Sequence, residues 1–182
     1  MRLAPLALLT ATLGSFATTA TAADQVKPLM KDFIGINGHT VQFKPDLYKP
    51  VCTVVRDYHP VEWDLGHETD VPTTFPLARN RVDWSQVYGS WKKAGYTVDA
   101  SLMFESIKQA AWKDVPKDAK AYGLAFAKAF GPSSTRLVDS AEVGNEPGKW
   151  NDADYRTMFE AMASGLRAGD PKLTIVTCAA DA

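Results

Sequence analysis

The feature that most constrains this chain is an alternation. Short apolar, β-branched runs recur at residues 32–37, 51–58, 96–104, 136–144 and 173–178, and segments with helical spacing fall between them. Residues 83–94 carry Trp84, Val87, Tyr88 and Trp91 on one helical face and stop at Gly95. Residues 117–130 carry Tyr122, Leu124, Phe126 and Phe130, followed by Gly131-Pro132. Residues 151–168 are the clearest helix: Asn151 is a capping residue, Asp152 and Asp154 favour the first turn, and Tyr155, Met158, Phe159, Met162 and Leu166 share a face. Residues 45–49 have room for a single helical turn. Strands that read as apolar on both faces, separated by helices, predict an α/β chain with a parallel sheet covered by helices.

Two architectures fit that reading, an eight-stranded βα barrel and an open doubly wound sheet. Gly35-Ile-Asn-Gly38 lacks the third glycine and the following helix of a dinucleotide fingerprint. A complete barrel takes about 250 residues. This chain has 182 and ends four residues after its fifth strand-like run. A barrel reading therefore implies about the first five βα units of a (β/α)8 fold.

The first 22 residues are not read as fold. Met1-Arg2 is basic, an apolar stretch too short to span a bilayer follows, and Ala20-Thr21-Ala22 is a small-x-small cleavage site. The expectation is a signal peptide over residues 1–22 and a secreted or periplasmic domain over 23–182, with no membrane insertion after cleavage. A formal net charge of −1, with basic residues scattered, gives no reason to expect nucleic acid as a partner. Cys52 and Cys178 both sit in strand-like runs far apart in order, so they are expected as small buried side chains without a bridge.

In a parallel barrel the reactive groups come from the C-terminal ends of the strands. Here those ends read Asn37 and His39; Arg56, Asp57, Tyr58 and His59; Phe104 and Glu105; Asn145 and Glu146. Polar, titratable and aromatic groups gather at one end of each strand. Glu146 is followed by Pro147 and Gly148, both strand breakers, which places it at a strand rim. A glutamate half shielded there has its pKa raised toward neutrality, as proton donation to a glycosidic oxygen requires.

Asn145-Glu146-Pro147 after a fourth strand resembles the acid/base signature of the clan A glycoside hydrolases, and Glu142-Val-Gly-Asn-Glu-Pro147 extends the likeness. The resemblance implies a retaining (β/α)8 enzyme acting on a β-linked oligo- or polysaccharide by double displacement, without cofactor or metal. It implies Glu146 as general acid/base and Asn145 as a ligand of the sugar 2-hydroxyl. It implies Arg56 as the arginine beneath the nucleophile. Asn37, His59, Trp63 and Trp150 are further candidates for substrate binding. The nucleophile of such enzymes stands on a seventh strand and has no counterpart among the five runs, so this polypeptide by itself is expected to be inactive. Glu105 reads as a solvated loop glutamate. The long connection over residues 59–81 reads as a wall above the barrel.

Two other classes compete. A non-catalytic carbohydrate-binding protein would use Trp63 and Trp150 as stacking platforms. A metal-dependent barrel hydrolase or isomerase would draw ligands from His59, Glu62, Asp64, His67 and Glu68, although Pro60 and Gly66 are expected to break any helix there.

Overall fold

The computed structural model describes residues 29–38 and 44–178. The expected leader and His39 lie outside the described residues. A one-turn helix α1 (Met30–Phe33) leads into strand β1 (Gly35–Gly38), and a second short helix α2 (Pro45–Tyr48) leads into β2 (Val54–Pro60). Helix α3 (Val61–Leu65) follows directly, then α4 (Trp84–Lys93) and β3 (Thr97–Met103). Two 3-10 turns, Phe104–Ser106 and Gln109–Ala111, connect to α5 (Val115–Phe130). β4 (Ser140–Val143), α6 (Asp152–Gly169) and β5 (Thr174–Thr177) are the last elements among the described residues.

The five strands form one all-parallel sheet in the order β1-β2-β3-β4-β5. A doubly wound sheet needs a reversal of strand order, and none occurs among the described strands. The arrangement is compatible with the leading part of a barrel.

Alternation along the strands gives the sheet two unlike faces. Val55, Asp57, His59, Val98, Ala100, Leu102, Ala141 and Val143 are fully buried on the helix-covered side. The opposite face carries two in-register rows. One is Asn37, Arg56, Asp99, Ser140 and Thr174; the other is Tyr58, Ser101, Glu142 and Val176. The expectation of strands apolar on both faces is corrected: the second face is polar and charged. On β3 and β4 the polar positions Asp99, Ser101 and Glu142 are hard to read because each stands alone between two apolar neighbours.

Local chemistry accounts for the shifted boundaries. Asp114 caps α5 by accepting from the Lys117 N–H, with a proline in the first turn, so that helix starts earlier than its apolar pattern. Asn151 caps α6 through the Asp154 N–H, as its sequence predicts. β4 does not start at Arg136 because that residue has φ +60, outside any strand conformation, and the N–H groups of Leu137 and Val138 both donate to Phe130 O at the end of α5. β2 starts late because the N–H groups of Val51 and Cys52 close the end of α2 on Tyr48 O. Pro60 and Gly66 do not abolish a helix between them; they bound α3, with Gly66 at φ +63 terminating it.

The core lies between the sheet and α4, α5 and α6. Trp84, Tyr88, Tyr122, Phe126 and Phe130 are fully buried or nearly so. The closest approach is between α5 and α6: a Cβ on Gly165 would lie 2.1 Å from Lys120 O, and one on Gly123 would lie 2.5 Å from Met162 O. Both obstacles are backbone, so no rotamer change relieves them. Gly165→Ala is expected to lower unfolding stability by about 1–3 kcal/mol by forcing the two helices apart. Urea denaturation checks this; an unchanged midpoint contradicts the packing.

Candidate functional site

The site is built around one guanidinium on the polar face, rooted at the third of the seven residues of β2 and not at that strand's C-terminal end as the sequence suggests. Arg56 points from β2 onto the polar face. Its Nε donates to Glu142 of β4 in a short charged contact. Nη1 donates to Asn37 Oδ1 of β1 at 3.3 Å. Nη2 donates to Ser101 Oγ of β3 and to Asn145 Oδ1 beyond β4, each at 3.0 Å. The guanidinium carbon also lies 5.0 Å from the centre of the Tyr58 ring. Burial works against the charge of Arg56, but the hydrogen bond and charge of Glu142 outweigh it, and its pKa lies above the usual arginine value.

The turn after β4 is held from several sides. Gly144 has φ +92, and a Cβ there would meet the Phe104 ring at 2.7 Å, so no other residue fits without displacing that ring. Ser101 Oγ donates to Gly144 O at 2.8 Å. Asn145 is fixed at both ends: Arg56 holds its side chain, and its N–H donates to Glu105 Oε1 at 3.0 Å. Glu146 follows with φ +52, an uncommon conformation for a glutamate, and its side chain is exposed. The half-shielded setting expected for Glu146 is corrected on this point. The turn lifts it clear of the sheet.

Glu105 occupies the setting that the sequence suggests for Glu146. It lies in the 3-10 turn after β3 and is half-buried, not a solvated loop residue. Burial raises its carboxyl pKa to about 7, with the charge of Glu142 adding to the rise and the Asn145 N–H and Arg56 opposing it. Its Oε2 is buried without a hydrogen-bond partner. The signal in the sequence is its place just past an apolar run ending in Phe104. Asp99, one layer deeper, is also raised by burial, although Ser140 Oγ donates to it at 2.5 Å. Cys178, after β5, and Tyr155 of α6 meet at 3.3 Å between Oη and Sγ, and burial raises both. Both cysteines are free.

The remaining candidates are placed elsewhere. His59 does not join the site. β2 runs on to Pro60, so His59 takes the parity of Val55 and Asp57 and points into the helix layer. It is fully buried, with Nδ1 2.6 Å from Tyr88 Oη, Nε2 2.7 Å from Asp64 Oδ2, and its ring stacked on Trp84 at 3.8 Å. Asp64 also accepts from Trp84 Nε1 and Tyr122 Oη. The carboxylate and imidazole of the rival metal set are thus spent in the core, and His67 pairs with Glu62 at 3.4 Å on the surface. Among the described residues no three His, Cys, Asp or Glu side chains converge as a metal site. Trp150 is 8% exposed and packs edge-on against Phe104 at 5.0 Å. Trp63 is half-buried and stacks on Trp84. Neither is a free stacking platform. The connection after α3 is tied to α5 by Thr69 Oγ1 donating to the buried Asp118 at 2.7 Å.

No protein-family model matches the chain, and no curated protein matches it in sequence.

Two outcomes follow from this geometry. Arg56→Met strands the buried Glu142 carboxylate without its partner and is expected to cost about 3–5 kcal/mol in urea unfolding. The double variant Arg56→Met/Glu142→Leu is expected to recover most of that loss, and equal destabilisation of single and double variants contradicts the pairing. Glu105 holds its proton more tightly folded than unfolded, since its folded pKa of about 7 lies above the ordinary 4.5. Its contribution therefore makes stability fall as pH rises between these two values. Glu105→Gln removes that fall. The difference in melting temperature between variant and parent should open above pH 4.5, favour the glutamine, and level off above pH 7. A difference independent of pH refutes the assignment.

Proposed function

We propose that this chain is a secreted glycoside hydrolase domain of the clan A type, acting on a β-linked glycan with retention. The observation that carries the reading is the double hold on Asn145, by Arg56 on its side chain and by Glu105 on its backbone, which fixes Glu146 at the C-terminal end of the fourth strand. A sugar 2-hydroxyl beside Asn145 would leave the glycosidic oxygen within reach of the exposed Glu146 carboxyl. Closure of the sheet into a barrel would bring the polar face inside and exclude water from that pair.

The sequential strand order supports the barrel reading, because a parallel sheet that has helices over one face and charges on the other must protect the charged face by curling on itself or by another layer. In this reading the five strands are the first five of eight. The nucleophile belongs to the seventh, and Arg56 beneath it keeps that carboxylate ionised. The basic and apolar start of the sequence supports export.

In the complete barrel that this reading implies, Glu146→Gln keeps shape and removes the proton. Hydrolysis of glycosides with poor leaving groups is expected to fall by roughly 10²–10⁴-fold. Aryl glycosides with acidic leaving groups should be cleaved in the first step with far less loss, and azide should restore turnover as a glycosyl azide of retained configuration. Unchanged kinetics on unactivated substrates would remove Glu146 from the role of acid.

A further inference from the structure

We propose that Glu105 is a positioning residue, which holds the Asn145 backbone N–H from the end of β3, sets the turn that carries Glu146, and tightens or slackens that hold with its own ionisation. The catalytic consequence rests on the hydrolase reading; the conformational one does not.

The geometry is specific. Residues 144–146 include two positive-φ positions, Gly144 and Glu146, on either side of Asn145. Such a sequence of conformations persists only when contacts over-determine it. Phe104 blocks one side of Gly144, and Ser101 holds its carbonyl. Arg56 holds the Asn145 side chain, and Ser101 holds only the carbonyl end of the Gly144–Asn145 peptide. The hydrogen bond from Asn145 N–H to Glu105 Oε1 fixes that plane, and with it the direction in which Glu146 departs. Phe104 and Glu105 are adjacent in the same 3-10 turn, so the ring that wedges Gly144 and the carboxyl that holds Asn145 are anchored together.

The hold depends on charge. An ionised carboxylate accepts an N–H about twice as strongly as a neutral carboxyl. The groups that bear on Glu105 are Glu142 from β4, Arg56 from β2 and Cys178 beyond β5. On α3, Glu62 is turned to His67, and on α6, Tyr155 is engaged with Cys178. Glu142 and Arg56 oppose one another across their own salt bridge, so burial dominates the titration of Glu105 and places it near neutrality. Its unpartnered Oε2 is the oxygen left to take the proton while Oε1 keeps Asn145.

The test uses the full chain labelled with ¹⁵N-asparagine, the Asn145 signal being assigned by its loss in Asn145→Ser. The Asn145 backbone amide is expected to titrate with a midpoint near pH 7, and the titration should vanish in Glu105→Gln, which keeps an acceptor oxygen but cannot ionise. An amide that is flat from pH 5 to 9 in the parent, or that titrates equally in the variant, overturns the proposal. Should Glu105→Gln not fold, Glu105→Asp replaces it: shortening by one methylene withdraws the carboxylate, and an unaltered Asn145 titration overturns the proposal equally. A second arm measures glycoside hydrolysis in the complete barrel that the hydrolase reading implies. Glu105→Ala should lower kcat by roughly ten- to a hundredfold with KM little changed, as a small misplacement of an acid does. Glu105→Gln should recover most of kcat and lose the ionisation near pH 7 from the pH profile. Absence of hydrolysis in parent and variants alike refutes the hydrolase reading, and the amide titration still decides the role of Glu105.

Discussion

One guanidinium organises the polar half of this molecule. Arg56 reaches Asn37, Ser101, Glu142 and Asn145, so groups from β1, β3, β4 and the turn beyond β4 all converge on a side chain from β2. A lone charge on an open sheet face would be costly, and so would the buried Glu142. Together they neutralise one another, and the planar fork of arginine satisfies four acceptors that lysine could not serve at once. The arrangement adds little net stability by Coulomb attraction, because both ions lose solvent. What it adds is specificity of register. A slip of one residue in β2 would send Arg56 into the helix layer and His59 onto the polar face.

The same strand feeds the opposite side. His59, two positions past Asp57 on the buried face, is enclosed by Trp84, Tyr88 and Asp64. Tyr88 donates to Asp57 at 2.9 Å, and each ring nitrogen of His59 lies within hydrogen-bond distance of an oxygen. This network ties β2, α3, α4 and α5 together through Asp57, Asp64, Tyr88 and Tyr122. A buried polar network with every member partnered specifies one packing where aliphatic contacts alone would allow several. β2 is thus fixed on both faces, by an arginine-centred network on one and a histidine-centred network on the other.

The order and type of the main elements were legible in the sequence because they rest on periodicity and capping. Trp84, Tyr88 and Trp91 line the buried side of α4, and Asn151 caps α6 where its sequence places it. Arg56 and Asn145 were each legible as site candidates through resemblance, in separate roles; the hydrogen bond between them was not read from the sequence. What could not be read were the parities. Placing His59 in the cleft required the strand to end before it; the strand continues to Pro60, and period two turns the imidazole inward. Glu105 and Glu146 exchanged environments for a related reason. A left-handed residue at a turn is decided by neighbours such as Phe104, which lie far away in sequence, and no local pattern announces it. Trp63 and Trp150 went to packing because a large aromatic beside a core gains more from burial than from exposure.

The turn at Gly144–Glu146 is where these constraints meet. A strand that ended in ordinary extended residues would carry Glu146 along the face shared by Glu142, stacking carboxylates of like charge above one another. The positive φ values at Gly144 and Glu146 break that alternation, lifting Glu146 into solvent while Glu142 stays with Arg56. Two carboxylates four residues apart thereby acquire opposite settings, one buried and charge-paired, one exposed at the rim. Glu105 supplies a third setting, buried without a cation of its own, and so titrates near neutrality. Three carboxyl groups within one stretch of strand ends are thus told apart by burial and pairing and not by composition.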